Sequence, residues 1–194
     1  MASSLFQPGY LPSYMIGGKV FIGSTTNAGV AIPAYNATAQ VFGLWNPAGS
    51  GVNIILVKLA LGIATLGTNI VGALGFSAVY NTGNAVGAAG APITAFTQTS
   101  SLPGLIGAAA GAAAPSAARF TLSATTIAPT FAYSIGVTST TGTPVDASPV
   151  MTYDFDGLVG VAPGTYIGLG GSAAPGSTYQ ASLAWIELPI GSTS

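Results

Sequence analysis

Between residues 130 and 137 apolar and small positions alternate, with Phe131, Tyr133, Ile135 and Val137 separated by Ala132, Ser134 and Gly136. A period of two sends successive side chains to opposite faces of a strand, so this segment predicts a strand with one core face and one face of small residues. Residues 120–125 repeat the pattern, with Phe120, Leu122 and Ala124 predicted inward. Near the end of the chain Tyr179, Ala181, Leu183, Trp185 and Glu187 fall on one face of a strand predicted over 179–188. The run from Val52 to Leu61 differs, because it is apolar on both faces until Lys58. That predicts a central strand covered on both sides, or an interface strand. Its β-branched residues and Gly-rich flanks favour a strand over a buried helix. Further strands are predicted at 18–23, 38–45, 69–80, 93–98, 151–155, 158–162 and 164–169.

The punctuation agrees with many short strands. The 28 Gly and 13 Pro are spread along the whole chain and leave no long helical stretch. Asn46-Pro-Ala-Gly-Ser-Gly51 lies between two predicted strands, and Pro47 with Gly49 and Gly51 makes it a connecting turn. Residues 107–115 are a low-complexity Gly/Ala stretch ending in Pro115, which limits them to a short turn or a packed loop. Pro8, Gly9 and Pro12 break any helix at the start, so residues 1–17 are expected to form an extended N-terminal arm. Residues 18–194 are then a single all-β domain, a β-sandwich of about eight to ten strands and of jelly-roll form.

Charge changes the picture more than hydrophobicity does. Apolar residues make up 49% of the 194, which is ordinary, but charged residues make up only 4%, against about 25% in a typical domain. Net charge far from zero is what keeps copies of a protein apart, and here it is −1. A chain of this kind is expected to work with its surface occupied by symmetric or repeated contacts. Three Lys and Arg cannot neutralise a run of phosphates, which argues against nucleic acid as a partner. The N-terminus has neither a basic nor an apolar region of the secretory type, and the apolar stretch 52–80 is interrupted by Lys58, Asn69 and several glycines. Neither secretion by a Sec-type signal nor membrane insertion is therefore expected.

Candidate chemistry is sparse. The chain has no His and no Cys, so a Ser-His-Asp triad, a Cys nucleophile, a disulfide framework and a thiolate metal site are all excluded. No catalytic residue, cofactor or metal ligand is assigned, and the chain is read as a non-enzyme. Asp154 and Asp156, two apart in Tyr153-Asp-Phe-Asp-Gly157, would share a strand face or sit at its turn. Such a pair could contribute to a Ca²⁺ site, but six to eight oxygens are needed, and a solvated strand end is the simpler account. Trp45 and Trp185 are expected in the core or at a subunit interface. Glu187 ends an otherwise apolar strand, so its carboxylate is expected to pair with Arg119 or a lysine, or to accept backbone hydrogen bonds.

Two stretches carry a family resemblance. Phe42-Gly-Leu-Trp-Asn-Pro-Ala-Gly-Ser-Gly51 followed by an apolar strand, and Ala162-Pro-Gly-Thr-Tyr166 with Ala181-Ser-Leu-Ala-Trp-Ile-Glu-Leu-Pro-Ile190, resemble small β-sandwich structural proteins of tailed bacteriophage particles. The resemblance lies in turns and strands and carries over no functional residue. It implies a virion structural protein, assembled in the host cytoplasm, of the capsid decoration or cement type. Its partners would be copies of itself, as a homotrimer, and the major capsid or other virion proteins. The alternative it leaves open is a tail or fibre module that binds a receptor or glycan, which would expose an aromatic, Asn/Asp-lined pocket at the strand ends. In either case bare strand edges would be hazardous, so partner chains or closure within the oligomer are expected to cap them.

Overall fold

The computed structural model of the chain describes residues 14, 17–35, 39–65, 73–80, 102–103, 116–121, 125–126, 131–137, 151–172 and 176–191. Among them are thirteen strands: β1 (Val20–Ser24), β2 (Val30–Ala31), β3 (Ala39–Asn46), β4 (Val52–Thr65), β5 (Ala73–Tyr80), β6 (Leu102–Pro103), β7 (Arg119–Thr121), β8 (Thr125–Thr126), β9 (Phe131–Val137), β10 (Met151–Asp154), β11 (Gly160–Val161), β12 (Thr165–Gly171) and β13 (Thr178–Pro189). The chain is all-β, a sandwich of two antiparallel sheets. Of the predicted arm only Tyr14 and Gly17 are described, and the strand predicted at 93–98 and the Gly/Ala stretch 107–115 lie outside the described residues.

The first sheet has the order β10-β4-β13-β1-β6, with β11 continuing the β10 lane along β4 and β2 continuing the β1 lane along β13. The second has the order β7-β3-β12-β5-β9, with β8 also pairing β3. Pairings between strands distant in sequence are nested: β1 with β13, β3 with β12, β4 with β10 and β11, β5 with β9. Two further pairings, β4 with β13 and β5 with β12, join these ribbons sideways into the two sheets.

Facing side chains of the two sheets make the core. Trp185 on β13 stacks at 6.2 Å on Phe21 of β1 and at 6.3 Å on Phe120 of β7, and Phe120 meets Phe42 of β3 edge-on at 5.0 Å. Four aromatic rings thus cross from one sheet to the other. Gly23 makes room for this column, since a Cβ there would lie 2.9 Å from the Phe120 ring. On β13 the predicted face is the buried one: Tyr179, Ala181, Leu183, Trp185 and Glu187 all lie inside.

The run 52–61 takes the central position expected of it, without the cover on both sides that one of its two readings required. β4 is central, but only one of its faces is fully buried, and the buried set changes parity from Ile54 and Leu56 to Leu59 and Leu61. A β-bulge is the cause: Leu56 pairs with Trp185 and Lys58 with Ala184, which leaves Val57 unmatched. Both parities of this run must be apolar because each faces the core in turn, and the segment does not need a cover on both sides. Of the strand predicted over 120–125, Phe120 and Thr121 lie in β7 and Thr125 in β8, both paired with β3, and residues 122–124 lie outside the described residues.

The strands buried on both faces belong to the second sheet. All seven residues of β12 are buried, as are 42–46 of β3 and 74–78 of β5. Its outward side is lined by small residues in register, Gly43 with Gly168 and Gly168 with Ser77, then Gly170 with Gly75. Tyrosines fill the resulting trough. Tyr166 leans over Gly43, where a Cβ would lie 2.6 Å from its ring atom Cε2, and Tyr35 lies over Gly170, 3.0 Å from a Cβ built there. Ser77 Oγ donates to Tyr35 O at 3.0 Å and Tyr35 N to Gly171 O at 2.7 Å, so hydrogen bonds hold this cover in place.

Candidate functional site

The two carboxylates singled out by sequence do not share a strand face. Asp154 is the last residue of β10, and opposite it on β4 Lys58 makes a 3.4 Å ion pair with it. Asp156 lies in a turn with φ +48°, followed by Gly157 at φ +71°, and Leu158 N donates to Phe155 O at 2.9 Å. Two successive positive φ values suit Asp-Gly, the preferred pair for a tight primed turn. Among the described residues no group of three or more Asp, Glu, His or Cys could hold a metal ion.

This turn belongs to an excursion, residues 155–159, that interrupts the β10/β11 lane where β4 bulges. Asp154 pairs with Lys58 and Gly160 with Ile55, so five residues stand opposite two. Phe155 N donates to Val57 O at 2.9 Å and Leu56 N to Val159 O at 3.0 Å, which ties both roots of the excursion to β4. Phe155 is buried against Tyr153 and Phe76, with ring centroids at 5.0 and 6.1 Å. Leu158 is the opposite case, an apolar side chain 85% exposed on an anchored loop.

Glu187 takes one of the roles foreseen for it. It is buried at the end of β13 and pairs with no cation among the described residues; Arg119 instead lies 5.4 Å from the centroid of the Trp45 ring. Its carboxylate accepts hydrogen bonds from Ser116 Oγ (2.5 Å), Ala117 N (2.8 Å), Ala118 N (3.0 Å) and Trp185 Nε1 (3.3 Å). Three of these donors converge on Oε1 and one meets Oε2, so both oxygens are hydrogen-bonded, which offsets the cost of burying the carboxylate. The group is a clasp between the sheets, holding the segment that leads into β7 against β13. Nothing in the sequence pointed to Ser116 as its partner, because hydroxyls are plentiful and the contact spans 71 positions.

Trp185 and Trp45 are both buried, as expected, but on different sides of the sandwich. Trp185 stands in the core, whereas Trp45 alternates with the core residue Leu44 and lies beside Tyr166 on the outward side of the second sheet. Neither forms an exposed platform. The turn after Trp45 is built as foreseen: Ser50 N donates to Pro47 O at 3.0 Å, and buried Asn46 donates through Nδ2 to Val52 O and Val161 O at 2.9 and 2.8 Å.

Among the described residues, the outward side of the first sheet is a broad exposed or half-buried surface. One row across it reads Ile22, Ala184, Lys58, Asp154, and the next Ser24, Ser182, Ala60, Thr152. All eight are exposed or half-buried. Among the described residues this face carries one ion pair, whose side chains are 48% and 61% exposed. No helix among the described residues is long and apolar enough to cross a membrane. Compared with known proteins, the chain matches no family model, no curated protein and no solved structure.

Proposed function

We propose that the chain is a jelly-roll structural subunit of a virus particle, of the capsid decoration or cement type, whose work is to tie neighbouring shell subunits together by burying surface. The nested pairing carries this reading. An antiparallel ribbon whose strands pair from the outside inward, first with last, and which then rolls so that β4 meets β13 and β5 meets β12, has the order of the two Greek keys in a jelly roll. That architecture recurs in viral capsid and lectin domains. Fold alone does not choose between them. The low charge favours the shell, because contacts between nearly neutral surfaces cost little repulsion and depend weakly on salt. The glycan-binding alternative needs aromatic side chains at the surface, and both tryptophans are used inside the chain.

The test is the state of the isolated protein, by light scattering at low and high salt and with and without EDTA. A discrete, salt-resistant oligomer is the expected result, unchanged by EDTA. A monomer that persists at high protein concentration would overturn the shell reading and favour the glycan-binding module.

A further inference from the structure

Among the described residues, features that blunt a sheet edge occur along both sheets. The β10/β11 lane is broken by the excursion 155–159, and β6 carries Pro103. β9 is longer, but its register against β5 slips between Leu74 and Gly75, leaving Ile135 unmatched. Short strands, proline and bulges are the devices by which proteins discourage edge-to-edge pairing. The outward side of the second sheet is also taken, by Tyr166 and Tyr35 over its glycines. Among the described residues these observations leave the outward face of the first sheet, and the charges on that face say what fits it.

We infer that this face is a two-fold contact with a second copy of the chain, in which Lys58 of each copy meets the partner's Asp154. The inference rests on the assembly reading above and adds the surface and the symmetry. An isologous contact needs a patch complementary to itself. Lys58 and Asp154 are neighbours of opposite sign on adjacent strands, so a two-fold axis running between β4 and β10, parallel to the strands, places each over its opposite. The remainder of both rows is small or uncharged, as two aligned sheets need for close face-to-face packing.

Charge reversal tests it. Lys58→Glu makes the patch wholly negative and Asp154→Lys makes it wholly positive. Both side chains are largely solvated, so each variant is expected to keep the circular dichroism and melting behaviour of the natural chain. In sedimentation velocity each variant alone is expected to show half the mass of the natural protein's particle, with association weakened at least tenfold. An equimolar mixture of the two is expected to recover the full mass, because a negative patch then meets a positive one. If the natural protein is oligomeric but neither reversal changes its mass, or if the mixture fails to recover it, the face is not the contact, while the assembly reading stands. A natural protein that stays monomeric at every concentration overturns both.

Discussion

In the first sheet β13 buries Tyr179, Ala181, Leu183 and Trp185 and leaves Gln180 and Ser182 exposed, whereas in the second sheet β12 is buried at all seven positions. The first follows the rule for an antiparallel sheet with one wet face. The second is central to a sheet covered on both sides, and it meets that condition with glycines rather than with the Val, Ile and Leu of a doubly buried strand. Glycine weakens a strand, but it admits an aromatic ring flat against the backbone. Tyr166 over Gly43 and Tyr35 over Gly170 use that space. Two sheets of one domain can therefore exclude water by different means, and only one of those means leaves a periodic trace in the sequence.

The largest effect is expected where the two sheets are clasped. Glu187→Ala removes the acceptor of Ser116 Oγ and of the Ala117 and Ala118 amides at a buried site. Orphaned buried donors cost about 1–3 kcal/mol each, with some recovered by relaxation, so a loss of roughly 3–5 kcal/mol is expected in denaturant unfolding. Glu187→Gln keeps one acceptor oxygen but turns an amide NH2 toward a donor, and about half that loss is expected. Equal stability for the alanine variant and the natural chain would show that the clasp does not couple the sheets.

Next in size is Gly43→Ala in the second sheet. The added methyl would overlap the Tyr166 hydroxyl and lie 2.6 Å from ring atom Cε2, and Tyr166 is fully buried, so it has nowhere to swing. Overpacking of this kind costs about 1–3 kcal/mol, and the upper end is expected. A melting temperature unchanged by this substitution would mean that the trough is loosely filled, and the contrast between the sheets would fall with it.

Legibility follows the same division. Wherever one face is wet, strands were readable from alternation: the buried face of β13 was identified residue by residue, and the turn 46–51 was placed between its strands from Pro47, Gly49 and Gly51. The bulge in β4 was not readable, because it is a mismatch of length between partners and its only trace, apolar residues of both parities around Val57, also fits a doubly covered strand. The glycine trough is not readable either: Gly43, Gly75 and Gly168 fall inside predicted strands, but glycine carries no periodic signal that marks a covered face. At the candidate site the members were visible one at a time, Lys58, Asp154, Asp156 and Glu187, but their partners depend on register between strands far apart in sequence. The Lys58–Asp154 pair spans two strands, and the Glu187 clasp reaches back to Ser116.

The smallest effect is the sharpest test of the comparison, because it should have the opposite sign. Gly62 lies in β4 of the first sheet, and a Cβ built on it meets nothing within 4 Å. Its φ is not among the positive values, so alanine can take up the same backbone without strain. Gly62→Ala then reduces the entropy of the unfolded chain without introducing a clash, which should stabilise the fold by about 0.4–1 kcal/mol. The measurement belongs at low protein concentration, where any contact through this face contributes least. The same substitution, glycine to alanine in the middle of a strand, should thus weaken the second sheet at position 43 and strengthen the first at position 62. A loss at both positions would point to backbone constraints common to the two sheets. Opposite signs would locate the difference in what lies on the glycine, a buried tyrosine ring in one sheet and open space in the other.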